Sequence, residues 1–293
     1  MNWLGNHAIN AKPQVHAKSY SQDFYSDSAL CSSCHNEFAP GSGSVIVDAY
    51  GEWERSPFNA PDNPGKHRSC IDCHMHGDIQ RIGEDIPGIS IDGGRLKDNV
   101  VTHQFTGANY HLVGLRNDKL KQMSIELLQS AAELETTLTT AGHLNVRVAN
   151  TGAGHALPTG VADFRQVWLD VTVRDASGQI VLESGKMDDA GVVDPDARFF
   201  RKVFSDKYGD PVGFVFWRYE KMLEDTKIPA GGHRDEVFEL PANTVFPVTA
   251  KVRLMFRTYP QAVTDLVREQ YPDLTDPEAV LMTEDTAELK PAN

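Results

Sequence analysis

Two short segments carry every cysteine of the chain, and a histidine follows each of them. The four cysteines occur in Cys31-Ser-Ser-Cys34-His35 and in Cys70-Ile-Asp-Cys73-His74. In this C-x-x-C-H spacing, two thiols can bond to the two vinyl groups of one haem while the next histidine binds its iron. We therefore predict two covalently attached haem c groups. The predicted attachment residues are Cys31, Cys34, Cys70 and Cys73, and the predicted proximal ligands are His35 and His74.

Paired cysteines have three other common uses in proteins. Two C-x-x-C pairs could form one structural Cys₄ zinc site, but zinc does not explain a histidine directly after each pair. A thioredoxin-like redox pair needs one C-x-x-C within a βαβ pattern, which the sequence lacks. Two disulfides inside such short loops would organise little of the fold. Haem attachment accounts for all six residues at once.

Histidine is concentrated in the same part of the chain. Eight of the eleven histidines lie within the first 111 residues. Two six-coordinate haems need two distal ligands besides the two proximal ones, and this segment can supply them. His16, which precedes the first motif, is one such candidate.

The segment that carries both motifs looks irregular. Glycine and proline recur through residues 1–117, sustained helical periodicity is weak, and aliphatic clusters are short. Such a segment buries little core of its own, and haem groups would supply the missing apolar mass. We expect residues 1–117 to form a dihaem cytochrome c domain.

The periodicity becomes regular after this segment. Residues 118–132 have a 3.6-residue pattern that predicts a linking helix with Asp118 as its N-cap. Residues 133–293 then alternate with a period of two between turn signals, which predicts an antiparallel β-sandwich with a short helix at 261–270 and an acidic tail. The predicted strands are 144–149, 167–173, 179–183, 199–204, 214–219, 236–240 and 248–256. The expected fold class is α+β, with the mostly irregular and helical haem domain first.

Charge and hydropathy exclude some partners. The net charge of −13 gives the chain no general affinity for nucleic acid or anionic membrane, and no apolar run is long enough to span a bilayer. Asp188, Asp189, Asp194 and Asp196 surround one loop and could bind Ca²⁺. A solvated acidic loop is the preferred interpretation, because the EF-hand pattern is missing.

Haem attachment also predicts a location. C-x-x-C-H motifs are loaded outside the bacterial cytoplasm, so we expect a periplasmic, extracellular or cell-surface protein. The first residues, Met1–His7, show neither a basic nor an apolar signal region. We expect that a signal peptide is not part of this sequence.

Several segments resemble bacterial multihaem c-type cytochromes related to the tetrahaem cytochrome of ammonia oxidation. The first is the run from Cys31 through Trp53-Glu-Arg-Ser56 to the second motif, Cys70-Ile-Asp-Cys-His-Met75. The stretch His103-Gln-Phe-Thr-Gly107 is similar to the H-x-F-x-G segment after the last haem site. Gly154-His-Ala-Leu-Pro-Thr-Gly160 is similar to a G-H-x-x-P-T-G loop that opens the β domain. The resemblance covers roughly residues 12–185.

The resemblance adds ligand candidates and removes one. It implies His103 and His155 as distal ligands, with the loop around His155 reaching from the β domain to a haem. Relatives often have W-x-x-S-x-H, with an axial histidine where this sequence has Phe58. Another histidine must therefore serve that haem, and His16 remains the alternative.

Three functional hypotheses follow. Two bis-histidine haems would make the protein an electron carrier between redox proteins, such as other cytochromes. The lost histidine at Phe58 allows an enzyme instead, with one open iron for peroxidase or nitrogen-oxide reductase chemistry. Third, the β-sandwich could dock the chain into a larger assembly, a homo-oligomer or a cytochrome filament.

Overall fold

A computed structural model describes residues 23–39, 42–213 and 215–291. The candidate ligand His16 lies outside these residues. No helix in the described ranges is long and apolar enough to cross a membrane.

The part that carries both motifs consists of short elements joined by turns. Each of its helices ends within two turns, so the irregular, partly helical character expected of this segment is observed. The elements are α1 (Ala29–Ser32), β1 (Glu37–Phe38), β2 (Val45–Val47), α2 (Ala49–Glu54), α3 (Cys70–His74) and α4 (Tyr110–Gly114).

The linking helix α5 spans Asp118–Gln129, but its predicted cap is wrong by one residue. Asn117 is the N-cap, and its side-chain oxygen accepts a hydrogen bond of 3.0 Å from the Leu120 amide. Because the Asn117 side chain already satisfies the free backbone N–H of Leu120, Asp118 is not the cap. It lies in the first turn of the helix instead, near the positive end of the helix dipole.

In the described residues after α5, the strands form antiparallel sheets. These strands are β3 (Glu133–Leu138), β4 (Leu144–Ala149), β5 (Gln166–Arg174), β6 (Ile180–Ser184), β7 (Lys202–Ser205), β8 (Lys221–Asp225), β9 (His233–Phe238), β10 (Val248–Arg257) and β11 (Val280–Leu289). One sheet has the order β11-β10-β5-β6, a second β3-β4-β9, and β7-β8 form a hairpin. Helix α6 (Gln261–Val267) precedes β11. The mixed fold class with antiparallel sheets is confirmed.

The two larger sheets share one hydrophobic core. Alternate residues of β4 and nearly every residue of β5 are buried, and both strands contribute to the same cluster as β10. The period-two alternation in the sequence thus arises because one face of strands such as β4 and β10 packs on the opposite sheet.

The two halves of the chain also pack on each other. Tyr110 is fully buried in the β core, and Ile46 and Val47 of the N-terminal hairpin share a second cluster with Phe204 and Tyr219. The domain boundaries at 117 and 132 remain a prediction, since residues on both sides of residue 117 contribute to common cores.

Some strand predictions were wrong. Inside the predicted strand 214–219, Phe216–Arg218 forms a 3-10 turn. These three bulky residues match a strand in propensity, but here they turn the chain towards β8. Strand β11 was missed inside the acidic tail, where Glu284 and Glu288 occupy solvent-facing positions. Strands β3 and β8 were also missed, since each is mostly polar and exposed.

Candidate haem-binding site

The second cysteine motif forms a compact, well-capped helix. Ser69 accepts a hydrogen bond from the Asp72 amide and the Asp72 carboxylate accepts one from the Ser69 amide, so the two residues form a capping box at the start of α3. This cap begins the helix at Cys70, which puts Cys73 and His74 in its last turn. The first motif lies in α1 and the turn after it, and its Cys34 and His35 are exposed.

The two motifs lie next to each other. Burial raises the pKa of the Cys31 thiol to about 11, with further contributions from charge and hydrogen bonding at the Cys70 thiol. Burial likewise raises the pKa of Cys73 to about 12. Thiols from different motifs are therefore in contact, so groups attached to them would be neighbours.

His74 and His155 form a pair across the two halves of the chain. Their ring centroids are 6.1 Å apart and the ring planes are inclined by only 11°. Nδ1 of His74 lies 2.6 Å from the carbonyl oxygen of Thr106, and Nδ1 of His155 lies 3.0 Å from that of Ala156. Since a carbonyl can only accept, Nδ1 carries the proton in both rings, which leaves a lone pair on each Nε2.

Both imidazoles are held neutral. Burial, together with the neighbouring His155, lowers the pKa of His74 to about 4. Burial also lowers the pKa of His155, against the opposing effects of the Ala156 carbonyl and Glu52. Neutral imidazole is the form that binds metal ions.

A tightly packed loop, residues 150–160, presents His155. The side chain of the fully buried Asn150 donates to the carbonyl oxygens of His155, at 2.8 Å, and Ile228, at 3.1 Å, while its oxygen accepts from the Ala153 amide. A Cβ on Gly152 would lie 1.9 Å from the carbonyl oxygen of Ser130. Only glycine fits there, two residues before the G-H-x-x-P-T-G motif begins.

Glu52 of α2 joins this loop to the haem-motif half. Its carboxylate accepts hydrogen bonds from the Ala156 amide at 3.1 Å and the Thr159 hydroxyl at 2.6 Å, and it forms a buried ion pair with Lys227. Burial alone would raise the pKa of Glu52, but Lys227 and Thr159 hold it below its usual value. The carboxylate is thus charged and bonded to the loop on the C-terminal side of His155.

Trp53 and Phe58 support the same loop. A Cβ on Gly154 would lie 3.3 Å from the Trp53 ring and 3.6 Å from Phe58, so the glycine allows a close approach. The Trp53 indole N–H donates to the Arg68 carbonyl at 2.7 Å. Phe58 stands where proteins of the resembling family often have an axial histidine, and here it packs against the His155 loop.

Other histidines show the opposite protonation pattern. In His67, Nδ1 accepts a hydrogen bond from the Ala60 amide, and in His143 it accepts one from Leu240. In His111, Nε2 faces the carbonyl oxygen of Thr275, and in His76 both ring nitrogens face carbonyl oxygens. In His67, His143 and His111 the proton therefore lies on Nε2, and in His76 both nitrogens are occupied, so none of the four presents a free Nε2 lone pair for iron.

The remaining candidates, His35 and His103, are exposed. In the described part of the chain neither ring makes a hydrogen bond. His103 lies in a loop fixed at both ends, since the Thr102 amide donates to the Met75 carbonyl and the Thr106 amide to that of His74. Its ring makes an edge contact with Phe105. His35 is close enough to His74 and His155 to lower both of their pKa values.

The acidic loop has local partners. Asp188 accepts from the Ala190 and Val192 amides, and Asp194 from those of Gly185 and Asp196. The described ranges contain no group of three or more histidine, cysteine or acidic side chains arranged for a metal ion. These carboxylates stabilise turns, and nothing in them supports a calcium site.

Three residues important to the site were not singled out from the sequence. Glu52 and Thr106 act on the histidine pair through hydrogen bonds between residues far apart in sequence, and Asn150 joins His155 to Ile228, 78 residues away, which no local pattern reveals. The only available signal was their position inside the three segments that carry the family resemblance.

Comparison with known proteins gives a fold relationship. No protein-family model matches the chain, and no curated protein matches it. The chain is similar in structure to a penta-haem cytochrome c552 from Thermochromatium tepidum, with a TM-score of 0.57 and 20% sequence identity over 91% of this chain. It spans 57% of the length of that cytochrome. The resemblance to multihaem c-type cytochromes is thus confirmed at the level of the fold.

Proposed function

We propose that the protein is a dihaem c-type cytochrome that transfers electrons outside the cytoplasm. In this proposal the haem attached at Cys70 and Cys73 has His74 and His155 as its two axial ligands. The haem at Cys31 and Cys34 has His35 as its proximal ligand. The observation that carries the proposal is the pair of parallel, neutral imidazoles with free Nε2 atoms.

The geometry of this pair fits one shared iron. An imidazole nitrogen lies about 2.0 Å from a first-row metal ion and about 1.1 Å from its own ring centre, so two rings on opposite sides of one ion have centroids about 6.2 Å apart. The observed separation is 6.1 Å. Each Nδ1 also has the backbone carbonyl partner that metal-bound histidines usually have.

The chain's own residues have defined tasks in this proposal. The haem would supply one-electron redox chemistry. The Thr106 carbonyl orients His74, and Asn150 and Glu52 fix the backbone that carries His155. Two fixed protein ligands would leave that iron without an open site and with little reorganisation between its charge states.

A second candidate, a haem enzyme, is favoured by one observation at the first motif. His35 is exposed. Among the described histidines, only the rings of His35 and His103 make neither a hydrogen bond nor an ion pair. A first haem without a distal protein ligand could bind a small substrate, with the second haem supplying electrons. We infer peroxidase or nitrogen-oxide reductase chemistry for that case.

Several finer points belong to the same proposal. The haem domain would comprise residues 1–117, with 118–132 as a linking helix and 133–293 as the β domain. His103 and His16 remain the proposed distal ligands of the first haem. The partners would be redox proteins such as other cytochromes, and assembly into an oligomer or filament would extend the electron path.

Two single-haem variants test the proposal. In protein matured in a bacterial periplasm, Cys31→Ser with Cys34→Ser leaves only the second haem, and Cys70→Ser with Cys73→Ser leaves only the first. We expect one covalent haem in each variant and two in the wild type. The reduced spectrum of the second haem should not change on mixing with carbon monoxide, apart from slow binding limited by displacement of His155. A carbon monoxide shift of the first haem would favour the enzyme, and absence of covalent haem would refute the whole proposal.

A further inference from the structure

Ser28 is a buried residue that contacts both cysteine motifs. Its side chain is almost fully buried, with 1% of the residue exposed. It immediately precedes α1, which begins the first motif, although it is 42 residues before Cys70 in sequence. Nothing in the sequence pattern marks this serine, since it belongs to neither C-x-x-C-H segment.

Two hydrogen bonds connect Ser28 to the first cysteine of each motif. The Cys31 amide donates to the Ser28 carbonyl at 3.0 Å, and the Cys70 amide donates to the Ser28 hydroxyl at 3.1 Å. The Cys31 and Cys70 thiols also interact directly. The first turns of α1 and α3 are therefore joined through one residue, whose carbonyl bonds to α1 and whose hydroxyl bonds to α3.

We infer that Ser28 is the positioning residue that fixes the two attachment helices, and hence the two haem groups, relative to each other. The inference rests on the proposed function. The thioether carbons continue directly from the Cys31 and Cys70 side chains, so a shift between α1 and α3 is passed on to both attached groups. Coupling between two haems depends on their separation and orientation, which this contact sets.

Ser69 provides a matched control. It also caps α3, since its hydroxyl accepts from the Asp72 amide at 3.2 Å, but this bond lies within the second motif. Ser28→Ala and Ser69→Ala each remove one serine hydroxyl that accepts a hydrogen bond from an amide in the first turn of α3. Only the first substitution breaks a bond between the motifs.

The test uses the fully loaded protein, with two attached haems verified by mass. In the oxidised wild type we expect an electron paramagnetic resonance spectrum with magnetic interaction between the haems. Ser28→Ala should reduce that interaction and Ser69→Ala should leave it unchanged, while Ser28→Thr, which restores the hydroxyl, should recover it. Equal spectra for the two alanine variants would overturn the inference, and loss of haem from the wild type would instead overturn the proposed function.

A second measurement needs no variant. If Ser28 joins the two helices, the Cys31 and Cys70 amides should open in one cooperative unit and exchange their hydrogens with the same opening free energy. Opening equilibrium constants that differ by more than tenfold between these two amides would show that the helices move independently. That result would overturn the inference even if Ser28→Ala failed to fold.

Discussion

Under the proposed function, replacing Glu52 with glutamine should free His155 from the second haem. Glu52 and Lys227 are about nine-tenths buried, with side-chain exposures of 10% and 9%. Removing one member of a buried ion pair costs about 3–5 kcal/mol. Because the glutamine oxygen can still accept from Ala156 or Thr159, we expect a net cost of about 2–3 kcal/mol.

That cost falls on the contact between α2 and the loop of residues 150–160. If the loop alone responds, the fraction of molecules with His155 displaced increases by about 30- to 150-fold, at 1.4 kcal/mol per factor of ten. Carbon monoxide can bind the reduced second haem only while His155 is displaced. Its binding rate should therefore rise by the same factor.

The assay is stopped-flow carbon monoxide binding to the reduced protein that carries only the second haem. Glu54→Gln is the matched control, because it makes the same change on the same helix at an exposed position. It should leave the rate unchanged. A rate for Glu52→Gln within about threefold of wild type would refute the reasoning that this carboxylate holds the loop.

The pH dependence follows from the lowered pKa of Glu52. Its stabilising effect is fully present above the ordinary glutamate pKa of about 4.3 and is lost as the pH falls through the lower value in the folded protein. The wild-type binding rate should thus rise only in that acidic range. Glu52→Gln should lack this rise.

Three further changes have definite expected effects on unfolding by urea. Gly152→Ala should lower the free energy of unfolding by about 1–3 kcal/mol or more, because its methyl group overlaps Ser130, whereas Gly65→Ala should change it little. Asp163→Asn should stabilise the protein by about 1–3 kcal/mol at pH 8 but not at pH 3.5, since burial raises this carboxyl pKa to about 7 and stability falls as it ionises. Phe105→Gly should be neutral or stabilising by about 0.5–1 kcal/mol, because φ is +49° and the ring is 62% exposed. A destabilised Phe105→Gly, an Asp163→Asn effect independent of pH, or a neutral Gly152→Ala would each contradict its explanation.

Local patterns predicted what depends on local spacing. The alternation in residues 144–149 and 248–256 predicted β4 and β10, because one face of each strand is buried in the common core. The C-x-x-C-H spacing also predicts the attachment residues of both motifs, and these stay predictions. Strand β11 was missed because its outward face is acidic and its pairing with β10 is set by the partner strand.

The arrangement of the candidate site depends on contacts that spacing does not encode. The family resemblance named His155, but its pairing with His74, rather than with His35, appears only once the loop is packed against α2. Glu52 and Lys227 are 175 residues apart in sequence, and no period or motif connects them. Likewise, the protonation of each histidine follows from which backbone group its ring meets.

Removing His155 tests the central claim most directly. Carbon monoxide binding to the reduced two-haem protein should be compared for wild type, His155→Gly and His103→Gly, with haem content verified for each. We predict that His155→Gly makes one additional haem reactive, namely the haem attached at Cys70 and Cys73, and that added imidazole reverses the change. His103→Gly should leave that haem unreactive. A second haem that remains unreactive after His155→Gly, or that is already open in the wild type, would contradict the assignment of His74 and His155 to one iron.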